Sequence, residues 1–279
     1  HNGSFEMASK YVDALVEIGV DAIKFQLVNP DQLFSENAIF AEYQKNQNNY
    51  DNPKNMAKSH QLSHDDHLKI YQKCLENNID YLCTAFDLSS LKFLNENINL
   101  KFFKIASGEI FSIDMLEYIS MHKKPIILST GMATFEEIEK TIELLNLHSK
   151  KEITILHCIS NYPTKIENVN LNVMRKLEQT FHYPVGFSDH TKDIFSSIIA
   201  VSMGATIIEK HVTFDKNLDG PDHKASSTIE EFRELVKQIR KIEIIRGNEN
   251  NTISNEEKEI ANVARKSIVA NNDICKELS

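Results

Sequence analysis

Nearly every short apolar run in this 279-residue chain ends in side chains that can do chemistry. "DAIKFQL" carries Lys24 and Gln26, "IDYLCTAF" carries Thr84, and "KIASGE" carries Lys104, Ser107 and Glu109. "KPIILST" ends in Ser129 and Thr130 before Gly131. "EITILHC" supplies His157 and leads into Ser160, Asn161 and Tyr162. "VGFSDH" supplies Ser188, Asp189 and His190, and "IIEKH" supplies Glu209 and His211. One lysine or serine at a strand end is ordinarily just a polar terminus; the same feature on seven runs points to a shared site. Two lysines, several hydroxyls and a glycine turn suit a phosphate or carboxylate group. His190 and His211 on neighbouring strands can hold one divalent ion with positions left open, and two imidazoles suit Mn, Zn, Fe or Co alike. Glu109 is a candidate acid or base, or else a salt-bridge partner for a lysine. "DGPDHKAS" adds Asp222, His223 and Lys224 on a loop punctuated by Gly and Pro, which suits substrate contact or a solvated turn.

The elements that must position these groups follow from periodicity. Tyr11, Leu15 and Ile18 fall at i, i+4, i+7, and Leu68, Tyr71 and Leu75 at i, i+3, i+7, as helices require. Thr134 with Glu137, and Thr228 with Glu231, read as capping boxes. Strand alternating with helix means βαβ units and a parallel sheet. The repeat of roughly twenty to thirty residues favours an α/β (β/α)₈ TIM barrel over an open, doubly wound sheet, which periodicity alone leaves possible. Seven strands are legible, and an eighth is expected upstream of His1. In such a barrel the C-terminal strand ends carry the active site, where the residues above cluster. Residues 35–62, including "EYQKNQNNYDNPKN", read as a long polar loop: a lid, an interface element or a flexible segment. The expected domains are a catalytic barrel over 1–245, a linker over 246–262, and the truncated start of a further domain over 263–279.

Composition excludes several classes. A hydrophobic content of 41% and a charged content of 25% are those of a globular protein. The net charge of −9 argues against non-specific nucleic-acid binding, and no run is apolar for the roughly eighteen residues of a membrane span. Cys74, Cys83, Cys158 and Cys275 fit no zinc spacing and read as reduced thiols of a cytoplasmic protein. The opening "HNGSFEMASKY" lacks an initiator Met and reads as a cut end.

The motifs "HNGS", "KFQ", "KIASGE", "LSTGM", "HCISNYPT", "GFSDHT", "IIEKH" and "GPDHKAS" resemble, in order, those of the sialic acid synthase family. The resemblance runs the length of the chain. It implies condensation of phosphoenolpyruvate with an N-acylmannosamine by a TIM barrel followed by a small antifreeze-like (SAF) domain. It implies that His190 and His211 bind a divalent metal, usually Mn²⁺. Lys24, Thr84, Lys104, Ser107, Ser129 and Ser188 would surround phosphoenolpyruvate, and Gln26, Tyr162 and Asp222 would meet the amino sugar. Glu109 would handle the attacking water. An asparagine near the phosphate in some members falls at Ser160, with Asn161 beside it. The family's first strand and the arginine that its SAF domain lends to a partner subunit lie outside this sequence, so a domain-swapped homodimer is expected only of a longer chain. The expected acceptor is N-acetylmannosamine, giving N-acetylneuraminate; the alternative is the 2,4-diacetamido-trideoxy sugar of legionaminate synthesis. "GPDHKAS" resembles the neuraminate and legionaminate versions more than the pseudaminate one. More distant alternatives are a phosphoenolpyruvate-dependent 3-deoxy-ulosonate synthase, a metal-dependent hydrolase and a non-catalytic barrel.

Overall fold

Seven parallel strands hydrogen-bond to one another in chain order: β1 (Ala22–Leu27), β2 (Asp80–Ala85), β3 (Phe103–Ile105), β4 (Ile126–Ser129), β5 (Ile153–Cys158), β6 (Val185–Asp189) and β7 (Ile208–Lys210). The computed structural model describes residues 1–35, 38–40, 50–220, 222–250 and 252–273. The strand order runs one way without the reversal that defines a doubly wound sheet, so that alternative falls. The sheet curls, as in a TIM-like barrel. Lys24 on the first strand reaches Glu209 on the seventh at 3.7 Å, although the two strands share no backbone ladder. A short parallel ribbon of β8 (Val212–Thr213) and β9 (Ser227–Thr228), which the periodicity does not reveal, follows β7.

The helices that alternate with these strands are α1 (Phe5–Ile18), α2 (Pro30–Leu33), α3 (Pro53–His60), α4 (His64–Glu76), α5 (Leu88–Asn97), α6 (Ile113–Ser120), α7 (Phe135–Leu145), α8 (Asn172–Phe181), α9 (Phe195–Ser202), α10 (Ile229–Arg246) and α11 (Asn255–Ala264). Both expected capping boxes form. In α7 the Thr134 and Glu137 side chains exchange bonds with each other's backbone N–H, and Thr228 and Glu231 do the same at α10. Between strands and helices lies one apolar layer that includes Phe103, Phe187, Leu94, Leu116, Ile138 and Leu177. Each of the two phenylalanines contributes about 2–3 kcal/mol by burial. Helices α1 and α10 are joined by Arg233–Glu17 (2.9 Å), and Arg240 pairs with Asp21 (2.6 Å) just after α1.

Three expectations change. The buried face of α4 is His67, Ile70 and Cys74, one step round from the Leu68–Tyr71–Leu75 stripe, and Leu75 is 49% exposed. The aromatic layer formed by Phe25 and Tyr81 takes His67 edge-on, which sets that rotation. Within the 35–62 segment, α3 forms behind an Asn52 cap with Pro53 at its first turn; residues 36–37 and 41–49 lie outside the described residues. The chain divides into units His1–Ile242 and Glu243–Ser279. In the second, residues 255–264, which join the end of the expected linker to the start of the expected further domain, are helical, because Ser254 and Glu257 close a capping box. Cys74, Cys83 and Cys158 are buried free thiols; Cys275 lies outside the described residues. Among the described residues no helix is long and apolar enough to cross a membrane.

Candidate active site

Register decides which strand-end groups share the barrel interior. Gln26 pairs with Thr84, and Thr84 with Lys104. Cys158 pairs with Ser188, and Ser188 with Glu209. Register neighbours in a parallel sheet point the same way. These side chains, with Lys24 and Ser129, therefore face one lumen at its C-terminal end.

The centre of that lumen is a charged cage. The Glu209 carboxylate lies 3.7 Å from Lys24 Nζ and 3.8 Å from Lys104 Nζ. Lys104 donates to Ser129 Oγ (2.7 Å) and to the carbonyl of Ile105 (3.0 Å), while Ser188 Oγ donates to Glu209 (2.9 Å). Burial alone would raise the Glu209 carboxyl, but Lys104, Lys24 and the Ser188 hydroxyl outweigh it and hold it down to about 2. Burial pushes the Lys104 ammonium down, and Glu209 opposes that shift. Two ammonium groups face one carboxylate, so the cage carries a surplus positive charge ready for an anion. Thr84 Oγ1 beside it is buried at 1% exposure and has no hydrogen-bond partner among the described residues. An orphaned hydroxyl costs free energy until a ligand oxygen meets it.

The two histidines stand next to the cage. Their rings lie 5.6 Å apart, and Tyr162 lies tilted against His190 at 4.2 Å and meets His211 edge-on at 5.6 Å. His190 Nδ1 lies 2.7 Å from the carbonyl of Ile159, which fixes the proton on Nδ1. Its Nε2 lies 3.3 Å from Ser188 Oγ, whose single proton is already directed at Glu209. Among the described residues the Nε2 lone pair thus lacks a donor, and it suits a metal ion. Burial, with His211 adding to it, holds the His190 imidazole neutral, down to about 4, and burial also lowers His211. Asp222 sits 3.8 Å from His211 Nδ1. Among the described residues no three His, Cys, Asp or Glu groups close on one point, so an ion here would take its other ligands from substrate or water.

A third group forms the rim. Ser107 Oγ and Ser160 Oγ are 3.0 Å apart. Gly131 N–H donates to Cys158 Sγ (3.1 Å), and a Cβ at Gly131 would run into Ser160 Oγ and Cys158 Sγ. Only glycine lets the turn after β4 approach so closely. Asn161 is exposed beside Ser160 and lends its carbonyl to Thr164. Gln26 is exposed on the same face of β1 as Lys24.

Other strand-end groups make their contacts outside the cage. His157 points the other way, into the apolar layer, where it stacks on Phe187 and bonds the carbonyl of Val169 (2.7 Å). Glu109, in the 3₁₀ turn Ser107–Glu109, accepts a hydrogen bond from Ser112 rather than from a lysine. Burial raises its pKa, and Asp114 and Asp87 add to that. Lys224 and His223 lie in the turn after Asp222, where His223 is tied to Thr213 (2.8 Å) and Asn2 (3.0 Å). Sequence reasoning assigned no role to Glu209 or to the inward Cys158. The signal for both was two-residue alternation, with Glu209 two before His211 and Cys158 two before Ser160.

The NeuB family profile matches residues 11–251, and the chain belongs to that family, the sialic acid synthases. It is 41% identical over 279 residues to the N,N'-diacetyllegionaminic acid synthase of Campylobacter jejuni subsp. jejuni serotype O:2, spanning 99% of this chain and 83% of that protein. It is 38% identical over 281 residues to the N,N'-diacetyllegionaminic acid synthase of Legionella pneumophila, spanning 99% and 79%. A crystal structure of the N-acetylneuraminic acid (sialic acid) synthetase from Leptospira borgpetersenii, in complex with citrate, superposes with a TM-score of 0.83 at 31% identity, covering 96% of this chain and 90% of that one.

Proposed function

We propose that this NeuB-family chain condenses phosphoenolpyruvate with open-chain 2,4-diacetamido-2,4,6-trideoxymannose and water, giving N,N'-diacetyllegionaminate and phosphate. The observation that carries the reaction type is the cage: Lys24 and Lys104 share one carboxylate, next to an orphaned Thr84 hydroxyl. A trianionic enol phosphate satisfies all three. The likeness to two legionaminic acid synthases at 41% and 38% identity favours this sugar over N-acetylmannosamine, the acceptor expected from sequence. The neuraminate reading stands second, supported by the 0.83 TM-score to the Leptospira synthetase.

The residues divide the work. Lys24, Lys104, Ser129, Ser188 and Thr84 bind the phosphate and carboxylate of phosphoenolpyruvate, with Ser107, Ser160, Asn161 and the Gly131 turn at the rim. Their fixed charges stabilise the phosphate as it departs. Gln26, Tyr162 and Asp222 orient the sugar so that its aldehyde carbon faces C3 of phosphoenolpyruvate. His190 and His211 would hold a divalent ion, manganese in this reading, which when bound supplies Lewis-acid polarisation of the aldehyde oxygen. As C3 attacks, positive charge develops at C2, and water adds there. Glu109, with its pKa raised by burial, is suited to orient that water and take its proton, after turning from Ser112. The tetrahedral product then loses phosphate.

The test is phosphate release from phosphoenolpyruvate with each sugar in turn. A site built to bond an amide should reject an acceptor lacking it by a kcat/KM ratio on the order of 10³ or more. A ratio of that size in favour of N-acetylmannosamine would overturn the substrate assignment and leave the reaction type intact. A chain that neither binds phosphoenolpyruvate nor releases phosphate from it with any N-acylmannosamine would overturn the reaction type.

A further inference from the structure

At the ends of β6 and β7 the site residues occupy alternate positions: Ser188 and the His190 that follows β6, and Glu209 and the His211 that follows β7. The residue between them on each strand, Asp189 and Lys210, is turned away from the lumen, and the two are register partners. Lys210 Nζ and Asp189 Oδ2 lie 3.1 Å apart, with both side chains at 0% exposure. Asp189 Oδ2 also accepts from Ser197 Oγ of α9 (2.6 Å), and its Oδ1 accepts from the backbone N–H of Thr191 (2.8 Å). Lys210 Nζ donates to the carbonyl of Thr191 (2.9 Å). The residue after His190 is thus clamped by its N–H from one strand and by its C=O from the other.

A fully buried ion pair is a poor way to gain stability, because desolvation consumes most of the attraction and a well-packed apolar pair does as well or better. What an apolar pair cannot do is grip both backbone polar groups of Thr191. That grip fixes the rotation of the backbone carrying His190 relative to the strand that carries His211. On the outer side of His190 the Ile159 carbonyl fixes the ring itself.

We propose that Asp189 and Lys210 are positioning residues: a buried strut behind the β6 and β7 ends that sets His190 against His211 for a divalent cation. The inference rests on the reading of the two histidines as ligands of one ion. It assigns the pair no contact with substrate. The strut acts on the histidines and not on Lys24 and Lys104, which stand on β1 and β3.

The experiment uses the full chain, Mn²⁺ alone as the cation probe read by the electron paramagnetic resonance of free Mn²⁺, and phosphoenolpyruvate binding by calorimetry without metal. Lys210→Met leaves the Asp189 carboxylate buried without its counter-charge and should lower Tm. Asp189→Asn/Lys210→Met removes both charges and should regain most of that Tm. Despite this recovery, the double variant should bind Mn²⁺ about 10–100-fold more weakly than wild type and phosphoenolpyruvate within about threefold of it, as expected for loss of an outer support of metal ligands. Wild-type Mn²⁺ affinity in the double variant overturns the strut. So does an equal weakening of Mn²⁺ and phosphoenolpyruvate, which is the mark of general loosening. A wild-type chain that binds phosphoenolpyruvate but no Mn²⁺ overturns the ligand reading of the histidines, and the strut with it.

Discussion

Thr84→Val should make this protein more stable and a worse enzyme. The hydroxyl of Thr84 is buried, has no partner among the described residues, and is flanked in register by Gln26 and Lys104. Valine is nearly isosteric and removes a polar group that has lost its water without finding a protein partner. The penalty for such a group is about 1–3 kcal/mol, so the ligand-free variant should gain about 1–2 kcal/mol. For a chain of this size that corresponds to a Tm rise of about 2–8 °C. A hydrogen bond from this hydroxyl to an ionised phosphate or carboxylate oxygen contributes about 1.5–3 kcal/mol, so the KM for phosphoenolpyruvate should rise about 10–100-fold. Thr84→Ser is the control: it keeps the hydroxyl and loses a methyl, and should lower Tm slightly while holding KM. The assay is a thermal melt of the ligand-free protein alongside phosphate-release kinetics. A Thr84→Val protein that melts lower than wild type with an unchanged KM refutes the reasoning, because the hydroxyl would then have a partner within the protein and no role towards the anion.

Three further outcomes are expected. Glu109→Gln should lower kcat on the order of 10²–10⁴-fold with little change in either KM, as for a group acting on water in the transition state; a rise in KM alone would make Glu109 a binding group. Chelation should abolish turnover and Mn²⁺ restore it, whereas His211→Ala should stay inactive at added Mn²⁺ concentrations that saturate wild type; full activity in that variant refutes the metal site. Burial holds the His67 imidazole down to about 4 in the folded protein, against 6.5 when exposed. Between those values the unfolded chain binds the extra proton. Stability should therefore fall by about 2–3 kcal/mol as pH drops from 7 to 4.5, and His67→Phe should flatten that limb. Parallel urea midpoints across this pH range for wild type and variant would contradict the assignment.

The fold was legible because parallel strands buried on both faces leave continuous β-branched and aromatic runs that polar loops cannot imitate. "KPIILST" and "EITILHC" each hold a strand within a residue or two of the run's ends. The capping boxes at Thr134 and Thr228 were equally plain, since they depend only on two residues three apart. Other features carried no such local mark. Two-residue strands such as β8 and β9 are shorter than one period of any pattern, and their pairing joins residues 212–213 to 227–228 across a loop. Helix α11 has no buried residue, and its large apolar residues, Ile260 and Val263, span less than two turns, so its local mark was the Ser254–Glu257 pair. The rotation of α4 was misjudged because Leu68 and Tyr71 are partly buried in either orientation, and the aromatic layer from β1 and β2 selects between them.

The site was legible where alternation along one strand sufficed and obscure where it took contact between strands. Lys24 with Gln26, Ser188 with His190, and Glu209 with His211 each share a face by spacing of two. The same rule, applied to β5, sends His157 outward and Cys158 inward, which the strand-end inventory overlooked because histidine attracts a chemical reading and cysteine in an apolar run does not. Glu209 was harder. Its meaning lies in Lys24, 185 residues earlier, and Lys104, 105 residues earlier, and only closure of the curled sheet sets both ammonium groups within 4 Å of one carboxylate. That same closure makes the cage electropositive in a chain of net charge −9. Bulk charge governs long-range encounter, whereas the affinity of a closed site follows the few charges inside it. An acidic protein can therefore hold a trianion, provided its lysines are placed where the sheet turns them all inward.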